Sequence, residues 1–116
     1  MNDRIKLNGK EYKIVFDFEA YIILEGLWSL KSMQDFGTKI LAMANKDFTF
    51  SDARALIYAG LNRAEVTRNE IDKFLNTQKK PIHFLNESKI VKTFMDCFTE
   101  SLKVDEKAEK KAVKNA

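Results

Sequence analysis

A chain of 116 residues, 45% hydrophobic and 32% charged with one proline and four glycines, is a single domain with enough apolar material for a core; that balance excludes a disordered chain. One cysteine, Cys97, and one histidine, His83, exclude an internal disulfide and a Cys/His zinc site, and favour a reducing compartment. Of the net charge of +3, residues 103–116 carry +2, five lysines against Asp105, Glu106 and Glu109; the remaining 102 residues carry only +1, too little concentrated charge to mark a nucleic-acid surface.

The first predicted element is a hairpin over about residues 4–16. Asn8-Gly9 is the pair that best tolerates the positive φ angles of a two-residue type I′ turn. That turn sets Leu7 against Lys10, Lys6 against Glu11 and Ile5 against Tyr12, gathering Ile5, Leu7, Tyr12, Ile14 and Phe16 on one face. A two-stranded ribbon is marginal alone, so this face must lie on helices. Asp17 caps a first helix running to about Trp28, with Glu19 near its start and Phe18, Tyr21, Ile22, Leu24 and Trp28 among its apolar positions. Being apolar on more than one side, it is expected at the centre, with the hairpin as a lid on it.

Met33, Phe36, Ile40, Leu41 and Ala44 mark a second helix ending at Asn45-Lys46-Asp47. Residues 48–52, FTFSD, form a connection with a cap, leading to a third helix through Ala53, Leu56, Ile57, Gly60 and Leu61. Thr67-Arg68-Asn69-Glu70 is a T-x-x-E capping box that opens a fourth helix with Ile71, Phe74 and Leu75, stopped by Gln78-Lys79-Lys80-Pro81. A last helix over about 86–103 aligns Ile90, Phe94, Phe98 and Leu102 at a spacing of four. The resulting expectation is a mainly α fold with an N-terminal β-hairpin (α+β), ββ followed by about five helices packed as a small bundle. It comprises one domain over 1–102 and a charged tail over 103–116, frayed or helical.

Chemistry is sparse. His83 falls in a helix connection, and Cys97 lies on the apolar last helix, where an inert buried thiol is expected. The carboxylates serve helix starts or a solvated end, with no metal-ligand spacing and no phosphate loop. No catalytic, cofactor-binding or metal residue is assigned, and the expectation is a non-enzymatic protein without cofactor. There is no run of signal-peptide length at the N-terminus and no stretch long enough to span a membrane, so a soluble, intracellular protein without a membrane partner is expected. Two helices around residues 62–66, with Arg54, Arg63 and Arg68 nearby, give a helix-turn-helix-like signal for DNA binding; Glu65, Glu70 and Asp72 oppose phosphate contact. Binding to protein is the stronger reading. Trp28, Phe36, Phe48 and Phe50 are more aromatic than a helix end and a connection require; they either close a Phe-rich core or form a partner groove.

The order of features also resembles a known family. The opening over residues 5–20, I-K-L-N-G-K-E-Y-x-I-x-F-D-F-x-A, is similar to that of the tail assembly chaperones of long-tailed, siphovirus-type phages of Gram-positive bacteria. Residues 55–61, ALIYAGL, resemble that family's L-x-x-A-G-L helix, and residues 67–71, TRNEI, its short capped helix. The similarity covers about residues 4–102. It implies a late, non-enzymatic protein that binds the tape measure protein, keeps it soluble and helps tail-tube subunits assemble around it. On that reading it works in the cytoplasm of the infected host and is missing from the mature virion. The family also implies a frameshift-extended form that recruits the tail-tube protein, and Lys110-Lys111 is compatible with an A-rich slippery run in the gene. Self-association would suit a protein that coats a long partner, though no residue demands it; a small DNA-binding regulator and a phage inhibitor of a host protein are the alternatives.

Overall fold

Asn8 and Gly9 have φ of 53° and 82°, both positive as a type I′ turn requires. They join β1 (Arg4–Leu7) to β2 (Lys10–Lys13) in the predicted register, Leu7 opposite Lys10, Lys6 opposite Glu11 and Ile5 opposite Tyr12. In this computed structural model, which describes residues 2–103, six helices follow: α1 (Phe18–Leu27), α2 (Met33–Ala44), α3 (Phe50–Gly60), α4 (Arg68–Asn76), α5 (Pro81–Glu87) and α6 (Lys89–Ser101). The mainly α fold with an N-terminal hairpin is therefore as predicted. The tail expected over 103–116, with Lys110-Lys111, lies outside the described residues apart from Lys103.

The caps explain most helix starts. Asp17 accepts from the Ala20 amide at 2.9 Å, Ser32 from Asp35 at 3.1 Å, Thr67 from Glu70 at 3.1 Å, and Ser88 from Ile90 at 3.1 Å. Each satisfies one of the orphan donors of a first turn. Thr49 and Asp52 form a reciprocal capping box, so α3 begins at Phe50 and takes up residues expected in a connection. The sixth helix, α5, also occupies a predicted connection. α4 ends at Asn76, ahead of the predicted stop, and Pro81 stands instead at the first position of α5, where its fixed φ suits a helix and its missing N–H costs nothing. Ser88, extended at φ −69° and ψ 133°, then breaks the chain, so α6 starts at Lys89 and not near Asn86, and exposed His83 sits on a helix.

The central helix is α3, not α1. Seven of its eleven residues are buried, whereas α1 buries only Ala20 and Leu24 and leaves Phe18 at 84% exposure. The reason is size: Ala53, Ala55, Ala59 and Gly60 let neighbours approach α3 closely on both sides, which the bulky side chains of α1 do not permit. On one side Ile57 and Leu61 meet Ile5, Leu7, Tyr12 and Ile14 of the hairpin, with Ile71, Phe94 and Cys97. On the other, Ala55, Leu56 and Ala59 pack with Ala20, Leu24, Met43 and Phe98. Phe16 touches both clusters, and its ring meets that of Phe98 edge-on at 5.5 Å.

The hairpin is thus a wall of the core over α3 and α6, in place of the expected lid on α1. Its exit strand is fixed by the Val15 amide donating to the Gly60 carbonyl at 2.8 Å. Gly60 is where the layers come closest: a Cβ built there would lie 2.8 Å from Cε1 of Phe94 and 3.1 Å from Cγ2 of Ile14. Buried Cys97 donates to the Asn2 carbonyl at 3.6 Å. Cys97 is buried as expected, and burial pushes its thiol above the ordinary value, with Asp3 and Asp96 adding to the effect.

Candidate partner-binding site

The structure separates the four nominated aromatic residues. Trp28, Phe36 and Phe48 are half-buried against the cluster of α1, α2, α3 and α6. Trp28 meets Phe98 edge-on at 6.1 Å, and Phe36 meets Tyr21 at 5.8 Å. The Trp28 indole N–H is buried without an acceptor among the described residues, and Lys39 Nζ lies 5.2 Å from the centre of its ring. The same ammonium donates to Asp52 Oδ1 at 2.6 Å, while Asp52 Oδ2 accepts from the Thr49 amide at 3.1 Å. One buried carboxylate therefore closes the capping box of α3 and ties α2 to it. These three aromatics close a core edge.

Phe50 is different. At 52% exposure it stands on the first turn of α3 beside a groove of about 330 Å³ formed with the end of α4 and with α5. Ala53, Leu75, Pro81, Phe84 and Leu85 complete its apolar lining. Pro81, Phe84 and Leu85 follow i, i+3, i+4 spacing and share one face of α5. The signal was present in PIHFL, but a proline read only as a stop conceals the helix it begins. Phe84 is held by Phe74, ring to ring at 6.2 Å, and the Phe74 carbonyl accepts from Thr77 Oγ1 at 2.6 Å and Gln78 Nε2 at 3.2 Å. These bonds finish α4, and Gln78 also lines the groove. Ser51, Asn76 and Gln78 add polar edges, and among the described residues Arg54 is the one charged residue of the lining.

Arg54 belongs to a second arrangement that pattern reading missed. Its guanidinium carbon lies 5.7 Å from the centre of the Tyr58 ring, and that of Arg68 lies 5.0 Å from the same ring. The Tyr58 hydroxyl donates to Asp72 Oδ1, joining α3 to α4. Burial, then this carboxylate, raise the phenol above its ordinary value. In the sequence the two arginines lay four residues before Tyr58 and before Asp72, respectively, but nothing in one dimension placed them on one ring. Arg63 is engaged elsewhere, donating to Asp17 at 2.7 Å.

For the helix-turn-helix reading, α3 and α4 are joined by residues 61–67, longer than the usual three- or four-residue turn. Glu70 is exposed on the first turn of α4, next to the face a groove would receive. Among the described residues there is no cluster of three His, Cys, Asp or Glu side chains placed to hold a metal ion, and no helix is long and apolar enough to cross a membrane. The chemistry that the groove offers is apolar contact with a single cationic edge. No protein-family model, characterised protein or solved structure matches the chain.

Proposed function

We propose that the chain is a tail assembly chaperone that binds the tape measure protein of a siphovirus-type phage, keeps it soluble and helps tail-tube subunits assemble around it. The observation that carries this reading is the groove beside Phe50, where aromatic and aliphatic side chains of three helices stand open together. A tape measure chain presents long amphipathic helices before a tube encloses them, and a helix-in-groove contact covers such a stripe. The order of features over residues 4–102 supports the same role. Weak contacts suffice, because many copies along one long chain gain from avidity and yield to tube subunits as assembly proceeds.

In this role the protein acts in the cytoplasm of the infected host and is left out of the finished virion. A frameshift-extended form would bring the tail-tube protein to the complex. The test is co-expression with the protein of greatest predicted helical length encoded just downstream. Soluble recovery of that protein together with the chain supports the reading; its deposition in the pellet, with or without the chain, refutes it.

A further inference from the structure

Resting on the chaperone reading, the polarity of the groove narrows what a bound helix must carry. The chain has four arginines. Arg4 is paired with Glu11 at 3.3 Å and Arg63 with Asp17 at 2.7 Å. The other two, Arg54 and Arg68, have no carboxylate within 4.0 Å among the described residues; both lie against the Tyr58 ring instead. The nearby carboxylate, Asp72, accepts the Tyr58 hydroxyl. Two cations therefore share one carboxylate, a local balance of +1, and Lys79 and Lys80 carry the same sign up to Pro81 at the groove.

A guanidinium lying on an aromatic face engages through its own face, which leaves in-plane N–H donors for a carboxylate. The cation–π contact also restrains a side chain that would otherwise lose much rotamer freedom on binding. Arg54 joins this arrangement to the apolar lining. With about 330 Å³, the groove is near the lower limit of about 300–1,000 Å³ for ligand pockets, so it receives a few side chains from one face of a helix.

We propose that the groove binds an amphipathic α-helix whose apolar row enters beside Phe50, Leu75, Phe84 and Leu85, and whose flanking carboxylate pairs with Arg54. The selected segments of the partner are those with Asp or Glu bordering the apolar stripe; segments bordered by Lys or Arg are rejected. A nucleic-acid phosphate would also attract Arg54 and the polar edges at Ser51, Asn76 and Gln78, but it would leave the apolar lining of Phe50, Leu75, Phe84 and Leu85 uncovered, which favours the helix.

The test uses the full chain and two fluorescein-labelled synthetic helical peptides. Both carry leucine at i, i+3, i+4 and i+7 repeats; one has Glu and its twin Lys at the positions bordering that row. Anisotropy is measured with wild-type protein, Phe50→Asp and Arg54→Glu, with thermal melts by circular dichroism to establish folding. Both sites are exposed, so the melts should coincide. We expect the Glu peptide to bind wild type about tenfold more tightly than its Lys twin, as for a partly desolvated interfacial charge. Arg54→Glu should reverse that order, and Phe50→Asp should weaken both peptides. Equal affinities for the twins, no reversal in Arg54→Glu, or tighter binding of a labelled oligonucleotide that Arg54→Glu abolishes, would overturn the assignment. Co-expression separates this inference from the function on which it rests. If wild type and both variants keep the tape measure protein equally soluble, the groove is wrong and the chaperone role stands. If wild type fails there but binds the peptides in the expected order, the role is wrong and the groove stands.

Discussion

Replacing Gly60 by alanine sets two effects against each other, and the structure decides their sign. Alanine is favoured over glycine by about 0.5–1 kcal/mol where the backbone permits it, through helix propensity and reduced unfolded-state entropy. Gly60 does not have positive φ, so this gain is open to it. Against it stands the space: the new Cβ would lie 2.8 Å and 3.0 Å from two ring carbons of Phe94 and 3.1 Å from Ile14 Cγ2. Phe94 is 1% exposed and Ile14 4% exposed, so neither can swing into solvent. Overpacking of this kind costs about 1–3 kcal/mol, and Gly60→Ala should be destabilised by roughly 1–2 kcal/mol, lowering Tm by about 4–8 °C for a domain of this size. Gly37→Ala, with nothing within 4 Å of its Cβ, should instead gain up to about 1 kcal/mol. Urea unfolding at constant m-value measures both. In a double-mutant cycle, Phe94→Leu should shrink the added cost of Gly60→Ala. A Gly60→Ala midpoint equal to or above wild type would refute the close approach of the hairpin exit, α3 and α6 at this point.

Asp52→Ala removes the capping-box acceptor and leaves Lys39 without its carboxylate, so a loss of about 3 kcal/mol is expected in chemical denaturation; a loss below about 1 kcal/mol would contradict the tie between α2 and α3. Asp17, held below its ordinary value of 3.8 chiefly by the hydrogen bond from Arg63 and then by the Ala20 amide, contributes stability that is present above the unfolded pKa and lost as pH falls through the folded one. The stability difference between wild type and Asp17→Asn should therefore be flat above about pH 5 and shrink below about pH 3.8, as read from urea midpoints across roughly pH 2–7. Lys46, at φ 66°, follows α2 with Asp47 donating to the Ala42 carbonyl at 2.9 Å, the closing bond of a Schellman turn. Lys46→Gly should relieve about 1 kcal/mol of left-handed strain and raise Tm in calorimetry. Hydrogen exchange should place the Ile14 and Val15 amides, which donate at 2.7 Å and 2.8 Å to Asp3 and Gly60 carbonyls, among the slowly exchanging group; fast exchange there would detach the hairpin from the core.

Local order was legible wherever one residue type has one physical use. Asn8-Gly9 fixed the turn and, through it, the strand register and the apolar face; Asp17, Thr67 and the period-four row through Ile90, Phe94 and Phe98 located helices. What periodicity could not weigh was closeness. An apolar count ranks α1 above α3, but centrality depends on how near neighbours can come, and the alanines and Gly60 of α3 win for being small. Pro81 was ambiguous for a related reason: a proline can mark a stop or the first position of a helix, and only the following PIHFL face discriminates. Of the four nominated aromatics, Phe50 lies at the open groove because the Thr49–Asp52 box starts α3 at this residue, whereas Trp28, Phe36 and Phe48 pack into the edge of the core. The Arg54–Tyr58–Arg68 arrangement needed α3 and α4 side by side, a relation that sequence spacing within either helix does not contain.

The central position of α3 also explains how so small a chain keeps an apolar groove open. Its middle and C-terminal residues are shared between two clusters, so the hairpin, α1, α4 and α6 are committed to covering them. The first turn of α3 projects past that shared region, and α5 buries none of its residues fully while being anchored through Phe74 and Phe84. An opening between these two parts costs little core, because the large buried side chains Ile57, Leu61, Phe94 and Phe98 lie away from Phe50, and the Asp52 side chain of the same turn is directed to Lys39 and Thr49. Substitutions at Phe50 or Arg54 should accordingly act on recognition, and those at Gly60 or Asp52 on folding. On the proposed reading, that division would let the groove change with its partner while the scaffold that holds it is maintained.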